Sequence, residues 1–176
     1  AGKRCLALRM SYIGEPGWEL HVEADNAARV FLTLETAGTM HHIGYFGAYA
    51  ANAMRLEKGY PAWGADLTTE RSPLEAGLGA FVRESVGLMR KEAWRLVLLE
   101  IVPGEVDPFY AHTVWQGYKA VGIVTSGAHG HRTGKTLAFA YLRDPTAQDG
   151  LTVSLLGERR AAVILDEVPY APGNLR

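Results

Sequence analysis

The sequence predicts an α+β protein of 176 residues, with a mixed first part and an all-β second part. Three observations support this prediction. Apolar and polar residues alternate over 5–12 and 18–23, which is typical of strands, and helical spacing follows over 25–58. Five short apolar runs after residue 94 are separated by Gly, Pro, Asp and Asn, as in a small barrel or sandwich.

The two alternating segments are predicted to form an antiparallel hairpin. The residues between them, Gly14-Glu-Pro-Gly17, favour a short turn. One possible register puts Tyr12 opposite Trp18. Glu19 then points to the face opposite Tyr12, so a shared pocket requires another register or a bulge.

Two helices are expected next. Asp25 or Asn26 is the predicted N-cap of the first, which ends near Gly38. The second is predicted over 47–58, with Gly59 ending it. Its apolar face is predicted from three residues, Ala48, Ala51 and Met54.

The second part is predicted to consist of strands only. The expected strands are 95–102, 118–125, 136–142, 151–156 and 160–165. We place the boundary near residues 88–94, which divides the chain into domains 1–90 and 91–176. No internal repeat suggests a solenoid.

Composition excludes several classes of function. The 18 basic and 19 acidic residues are well mixed and leave a net charge of -1, so a nucleic-acid partner is not expected. Cys5 is the only cysteine, which excludes an internal disulfide. No apolar run is long enough to span a bilayer, and the first residues lack a signal peptide, so no membrane partner is expected. A cytoplasmic location is predicted, or the mitochondrial matrix in a eukaryote.

The hairpin contains the strongest candidate binding residues. An aromatic ring at Tyr12 can stack on or hydrogen-bond a flat heterocycle, and a carboxylate at Glu19 can accept two N–H bonds from an amino-pyrimidinone edge. Tyr and Glu are also common on half-exposed strands with no ligand. From the residues alone, both interpretations stay open.

A Gly-rich segment, 127–134, has features of a phosphate loop or a His-based metal site. A phosphate loop opens a helix, whereas strand-forming residues follow here. His129 and His131 have no third ligand at a diagnostic spacing, and His41 and His42 are interpreted in the same way. No metal site is predicted.

Three segments together carry a family resemblance. They are Arg9-Met-Ser-Tyr-Ile-Gly-Glu-Pro-Gly-Trp-Glu-Leu20, Arg55-Leu-Glu-Lys-Gly-Tyr-Pro-Ala-Trp-Gly-Ala-Asp-Leu-Thr68 and Pro73-Leu-Glu-Ala-Gly-Leu-Gly79. With them, the chain resembles the folate-binding aminomethyltransferases of the glycine cleavage T-protein family. It is most similar to the C-terminal portion of the dimethylglycine and sarcosine dehydrogenases. The resemblance implies the end of a ferredoxin-like antiparallel domain followed by a C-terminal barrel, in which Thr125-Ser-Gly127 and Gly134 shape a turn.

The resemblance also implies a tetrahydrofolate site. Tyr12 would line the pterin pocket and Glu19 would hydrogen-bond the pterin ring. Tyr49 stands where the family has an Arg that approaches the folate, and Trp63 would border the cavity or pack at the domain junction. Arg55 and Glu57 are two residues apart and cannot share a helix face, so we expect each to brace the domain through another partner.

The implied activity is transfer of a one-carbon unit from a small amine to tetrahydrofolate. The family's catalytic Asp belongs to an N-terminal region that this sequence lacks, so no catalytic residue is assigned here. We expect the chain to be part of a longer polypeptide, with an N-terminal remainder as its partner and FAD only in an upstream domain. The alternative is a non-catalytic folate-binding or interaction module, such as an iron–sulfur assembly factor on the same fold.

Overall fold

The computed structural model describes residues 2–83, 93–143 and 149–171 and confirms an α+β architecture with a C-terminal barrel. The first part contains β1 (Leu6–Leu8), β2 (Glu19–His21), α1 (Ala24–Gly38) and α2 (Ala48–Glu57). The second contains β3 (Arg95–Ile101), β4 (Thr113–Gln116), β5 (Lys119–Gly130), β6 (Lys135–Leu142), β7 (Leu151–Leu155) and β8 (Glu158–Ile164). No helix among these described residues is long and apolar enough to cross a membrane.

The hairpin is antiparallel, as predicted, and the structure decides its register, which the sequence left open. Leu8 lies opposite Glu19, so the pairing of Tyr12 with Trp18 is not formed. The Ser11 hydroxyl accepts the Glu15 N–H at 3.0 Å and draws the chain out of the ladder into a bent loop. This register differs by an odd number of residues from one with Tyr12 opposite Trp18, so residues that would share a sheet face in one register lie on opposite faces in the other.

The start of α1 also differs from the prediction. The backbone is extended at Glu23 (φ −61°, ψ 142°) and helical from Ala24, so Glu23 is the N-cap. Asp25 and Asn26 lie inside the first turn, and neither is the cap. Asp25 still stabilises the helix there, because a negative charge interacts favourably with the N-terminal end of the helix dipole.

The second helix ends as predicted, with Gly59 in the left-handed conformation at φ 67°. The Gly59 N–H donates to the Leu56 carbonyl and the Tyr60 N–H to the Arg55 carbonyl, both at 2.9 Å, which satisfies the last turn. The predicted core face is wrong. Ala53 and Leu56 are the buried apolar residues, and the predicted face instead has exposed Ala48 and half-buried Ala51 and Met54.

The six later strands close into an antiparallel barrel in the order β3-β6-β5-β4-β7-β8, which decides between the predicted barrel and sandwich. β4 was not predicted, because its four residues include only one that is buried, Val114. β5 continues to Gly130, so the predicted turn at 125–127 is wrong. A bulge between Val124 and Ser126 occurs there instead, and Gly134 shapes the turn that follows, at φ 68°.

The barrel has a core inside and a second apolar layer outside. The interior is filled by residues from all six strands: Val97, Leu99, Ile101, Val114, Val121, Val124, Ala138, Ala140, Leu142, Leu151, Val153, Leu155 and Ala162. Outside, Leu56 of α2 packs with Leu98, Leu137 and Phe139. Because α2 covers β6, both faces of this strand are buried.

The first fifty residues are much less buried than the rest. Among residues 2–50, only Gly14 is buried, and neither β1, β2 nor α1 has a buried residue. Large apolar side chains of these elements are therefore exposed, including Leu6 at 59%, Phe31 at 52% and Leu32 at 57%. The predicted boundary at 88–94 lies largely outside the described residues, and the division into domains 1–90 and 91–176 stays a prediction.

Candidate functional site

A cavity of about 620 Å³, here called the aromatic cavity, lies where the hairpin loop, α2 and the barrel meet. Four aromatic side chains line it: Tyr12, Tyr49, Phe109 and Tyr110. Its remaining walls include Asn52, Arg55, Thr125, Ser126 and several Ala and Gly residues. A pocket of this size with few polar groups is typical of a site for an organic ligand.

The aromatic side chains come from three separate elements. Tyr12 belongs to the hairpin loop, Tyr49 to the first turn of α2, and Phe109 and Tyr110 to the connection between β3 and β4. Their exposed fractions range from 49% for Tyr12 to 89% for Tyr49. Exposed rings facing one cavity can stack on a flat heteroaromatic ligand.

A buried carboxylate, Asp66, organises the polar side of the cavity. It is fully buried and accepts hydrogen bonds from the Ser126 hydroxyl at 2.6 Å and the Ala62 N–H at 2.8 Å. Its other donors are the Thr125 hydroxyl and the Arg55 guanidinium. With four donors, the charge of Asp66 is compensated, so this carboxylate stabilises the cavity wall and is not free to act as a base.

Each nitrogen of the Arg55 guanidinium also donates a hydrogen bond within the protein, and the residue is 1% exposed. Besides Asp66, it donates to the Tyr60 carbonyl at 3.0 Å and to the Asn52 side-chain oxygen at 2.7 and 3.0 Å. Asn52 in turn donates to the Gly127 carbonyl at 3.0 Å. This network joins α2 to β5. Because Asp66 is its counter-ion, Arg55 presents no uncompensated positive charge to the cavity.

Glu57 braces a different contact. Its carboxylate accepts the backbone N–H groups of Arg132 at 2.9 Å and Thr133 at 2.8 Å, and the Thr133 hydroxyl at 3.1 Å. It therefore fixes the turn between β5 and β6 against the end of α2. The expectation that Arg55 and Glu57 brace the domain through separate partners is confirmed.

The structure brings together two of the four predicted ligand-binding residues, Tyr12 and Tyr49. Glu19 is not among the residues that line the aromatic cavity. Its carboxylate is half-exposed, 3.5 Å from His21 Nε2. Trp63 is 76% exposed and borders a smaller cavity of about 200 Å³ beside Tyr141. The binding roles of all four residues stay predictions.

Several cavity residues were not predicted. Phe109 and Tyr110 form an aromatic pair directly after Pro108 in a loop, a local signal that could have identified them. The Phe109 N–H donates to His112 Nδ1 at 3.0 Å, which fixes this loop, and burial lowers the pKa of His112. Asp66 and its partners carry no such signal, because their roles depend on long-range contacts.

Three further titratable side chains, Tyr141, His129 and His131, contact other groups of the protein. The Tyr141 hydroxyl donates to the Asp66 carbonyl at 2.9 Å, and burial raises the pKa of Tyr141 to about 12. The rings of His129 and His131 pack edge to face at 5.3 Å, and His129 Nδ1 lies 3.3 Å from the Thr136 hydroxyl. Within the described ranges, no three His, Cys, Asp or Glu side chains are grouped to hold a metal.

Comparison with known proteins supplies two family matches. Residues 1–85 match the family model for the GCVT N-terminal domain. Residues 95–171 match the model for the glycine cleavage T-protein C-terminal barrel domain. The second match covers the strands that form the closed barrel.

The chain is also similar to curated proteins and a solved structure. It is 38% identical over 175 residues to dimethylglycine dehydrogenase of Mus musculus, which covers 92% of the chain and 20% of that protein. It is 35% identical to mouse sarcosine dehydrogenase, over all of the chain and 21% of that protein. Identity to the aminomethyltransferase of Bacillus subtilis is 29%, over 98% of the chain and 50% of that enzyme.

The glycine cleavage system aminomethyltransferase T of Bartonella henselae has the same fold, with a TM-score of 0.79 and 20% identity. The match covers 93% of the chain and 49% of that structure. The chain thus spans about a fifth of the dehydrogenases and about half of the aminomethyltransferases that it matches.

Proposed function

The chain belongs to the glycine cleavage T-protein family, and from this premise we propose that it supplies the tetrahydrofolate-binding part of a larger one-carbon transferase. The proposed reaction transfers a one-carbon unit from a small amine to tetrahydrofolate. Glycine-derived aminomethyl groups, dimethylglycine and sarcosine are the candidate donors, suggested by the names of the relatives. For the two N-methyl amines, a flavin in the remainder of the polypeptide would first take two electrons and oxidise the amine to an iminium, whose carbon is then transferred.

The aromatic cavity is the observation that carries this proposal. Pterin is a flat, polar bicycle, and an aromatic wall with a few hydrogen-bonding groups suits its faces and edges. Tyr12 would lie against the ring and Tyr49 against the remainder of the folate. Asn52 and Ser126 supply polar atoms along the same wall.

Glu19 and Trp63 do not line the aromatic cavity, and their proposed contacts with the ligand rest on the family resemblance. Among the residues that the structure describes, the Glu19 carboxylate has an ion-pair contact with His21 alone, at 3.5 Å, so it is available to accept N–H bonds from a pterin edge. Trp63, with most of its ring exposed, would border the bound folate. Tyr12, Tyr49, Glu19 and Trp63 are thus proposed as the folate-binding residues of this chain.

In the proposed reaction, tetrahydrofolate would accept the one-carbon unit. The contribution of this chain is binding and orientation, because a ligand held in a reactive pose does not lose translational and rotational freedom in the transition state. Asp66 is buried and already has four donors, so proton transfer is not assigned to it. We propose that an acid–base group comes from the remainder of a longer polypeptide.

The exposed apolar faces of β1, β2 and α1 support such a remainder. Each of these elements has large exposed apolar side chains, and extensive exposed apolar surface usually marks a contact with another segment or protein. We propose that the N-terminal remainder of the polypeptide covers it, since the dehydrogenase relatives are about five times as long as the match. FAD would belong to that remainder, and in a eukaryote the protein would be in the mitochondrial matrix.

Calorimetric titration of the full-length protein with 5-formyltetrahydrofolate tests the proposal. Tyr12→Ala is expected to weaken binding roughly tenfold through loss of ring packing, about 1.4 kcal/mol. Glu19→Ala is expected to weaken it by at least as much, because a charged hydrogen-bond partner is lost.

The matched control is Tyr118→Ala. Tyr118 is 95% exposed and does not line the aromatic cavity, so its removal should leave the affinity unchanged. Absence of binding by the wild-type protein would rule out the proposed function. Binding that tolerates both Tyr12→Ala and Glu19→Ala would rule out this site assignment.

A further inference from the structure

The loop that carries Tyr12 is attached to the rest of the molecule at its tip. Gly14, at φ 68°, is the only buried residue among residues 2–50. A Cβ atom added to Gly14 would lie 2.6 Å from Cγ of Lys58, so the loop backbone rests directly on the Lys58 side chain. The tip therefore contacts the end of α2 at a place where no larger side chain fits.

Two cations hold the next residue of the loop. Arg132 Nη1 donates to Glu15 Oε1 at 2.6 Å, and Lys58 Nζ lies 3.8 Å from the same oxygen. The Lys58 side chain is only 6% exposed, and its Nζ has no hydrogen-bond partner among the described residues. Glu15 therefore supplies the negative charge nearest to the buried Lys58 ammonium group. Because burial weakens screening by water, Lys58 attracts Glu15, and with it the loop, more strongly than an exposed lysine would.

Tyr170 joins these two cations from the other side. Its ring lies 4.1 Å from Lys58 Nζ and 4.6 Å from the guanidinium carbon of Arg132. The Tyr170 N–H also donates to the Glu57 carbonyl at 2.9 Å. The ring thus holds both cations in place through cation–π attraction while its own backbone is fixed to α2.

We propose that Glu15, Lys58, Arg132 and Tyr170 form a latch that positions Tyr12 for ligand binding. Tyr12 lies three residues before Glu15 and two before Gly14, so docking of the loop tip sets the place of the Tyr12 ring in the cavity wall. The four are positioning residues, since none lines the aromatic cavity. The proposal deepens the folate-binding function and, for its ligand, rests on it.

The variant Glu15→Gln tests the latch in the full-length protein. It keeps the shape of the side chain and removes its charge. Affinity for 5-formyltetrahydrofolate is expected to fall about fivefold to tenfold. The melting temperature is expected to fall as well, because the buried Lys58 ammonium loses its nearest negative charge. In a Tyr12→Ala background, Glu15→Gln should weaken binding no further, since the residue that it positions is gone.

Glu100→Gln is the matched control. Lys135 Nζ and Glu100 Oε2 are 2.5 Å apart, with side-chain exposures of 38% and 33%. These resemble the 46% and 31% of Arg132 and Glu15, but the pair lies away from the aromatic cavity. Glu100→Gln should leave affinity unchanged, and Arg132→Lys should retain more affinity than Arg132→Gln.

Amide hydrogen exchange supplies a readout that needs no ligand. Glu15→Gln is expected to speed exchange in residues 11–17 severalfold without affecting the barrel strands. Faster loop exchange with no ligand binding by the wild type would retain the latch and reject the folate function. Two results would overturn the latch even if the wild type binds folate. One is unchanged loop exchange in Glu15→Gln, and the other is a loss of affinity on Glu15→Gln that is equally large with and without Tyr12→Ala.

Discussion

At the scale of single residues, Asp66 connects three parts of the molecule. Its carboxylate accepts hydrogen bonds from α2, from the loop after it and from the barrel strand β5. The loop that contains Asp66 places its carboxylate beside Thr125, which lies 59 positions further along the chain. Arg55 contributes its charge from α2, and the pair is 1% and 0% exposed. A buried pair of this kind adds little net stability compared with an apolar pair, but removing one partner leaves the other charge uncompensated.

Asp66→Asn is therefore expected to destabilise the protein by about 3–5 kcal/mol. The substitution keeps the shape of the side chain and leaves the Arg55 guanidinium buried without a counter-charge. Urea unfolding monitored by circular dichroism measures this loss. Affinity for 5-formyltetrahydrofolate should fall with it, because Asn has one acceptor oxygen where Asp66 has two, so either the Thr125 and Ser126 hydroxyls or Arg55 and the Ala62 N–H would face an NH2 donor.

Glu158→Gln is the control for this effect. Its partner Arg160 is buried like Arg55, at 6% exposure, but the Glu158 carboxylate is 64% exposed. Water can solvate that side of the pair, so a cost of at most about 1 kcal/mol is expected. Equal losses for Asp66→Asn and Glu158→Gln would contradict the assignment of Asp66 as the organising charge.

For whole elements, the contact between β5 and the β3–β4 connection determines the shape of the aromatic cavity. Gly127 of β5 faces Pro108, and an added Cβ atom would lie 2.5 Å from the Pro108 carbonyl oxygen and 2.6 Å from its Cγ. Phe109 and Tyr110 follow directly in the chain. The absence of a side chain at Gly127 therefore lets two cavity rings approach the barrel.

Gly127→Ala is expected to displace this connection, at a cost of about 1–3 kcal/mol for overpacking. Thermal unfolding measures the cost, and the affinity for 5-formyltetrahydrofolate should fall because Phe109 and Tyr110 move. Gly44→Ala is the matched control, since nothing lies within 4 Å of a Cβ atom there. If both Ala variants behave like the wild type, the connection does not depend on this close approach.

The same elements show what could be predicted from the sequence. Five of the six barrel strands were predicted, because their apolar runs and turn residues are local signals. The hairpin register could not be predicted, since alternation identifies a strand without choosing its partner residue. The hydrogen bond that the Glu15 N–H donates to the Ser11 hydroxyl then holds residues 11–15 in a loop instead of a strand. β4 was missed because a strand with one buried residue has almost no pattern.

The cavity was predictable only in part, for a related reason. Tyr12 lies in a segment with a family resemblance, and Tyr49 stands at the position of an Arg of that family; both line the cavity. Asp66, Thr125 and Ser126 acquire their roles only when distant segments meet, so no spacing along the chain indicates them. Burial and hydrogen bonding are properties of the folded chain and cannot be derived from a single sequence.

For the whole molecule, burial differs sharply between the barrel and the N-terminal elements. The barrel interior is closed, with Leu99, Ile101 and Val114 at 0% exposure, whereas Phe31 and Leu20 are 52% and 39% exposed. A two-stranded sheet is at best marginally stable without a covering layer. This difference is what motivates the proposal that the remainder of a longer polypeptide covers the N-terminal elements.

The dye 8-anilinonaphthalene-1-sulfonate tests this cover, because its fluorescence rises on exposed apolar surface. The 176-residue chain alone is expected to give several times the fluorescence of the full-length protein at equal molar concentration. Phe31→Ser should lower the signal of the isolated chain, whereas Tyr118→Ser, which removes a 95% exposed ring from the barrel, should not. Equal fluorescence from the isolated chain and the full-length protein would show that the remainder leaves this surface open, and another partner would then have to cover it.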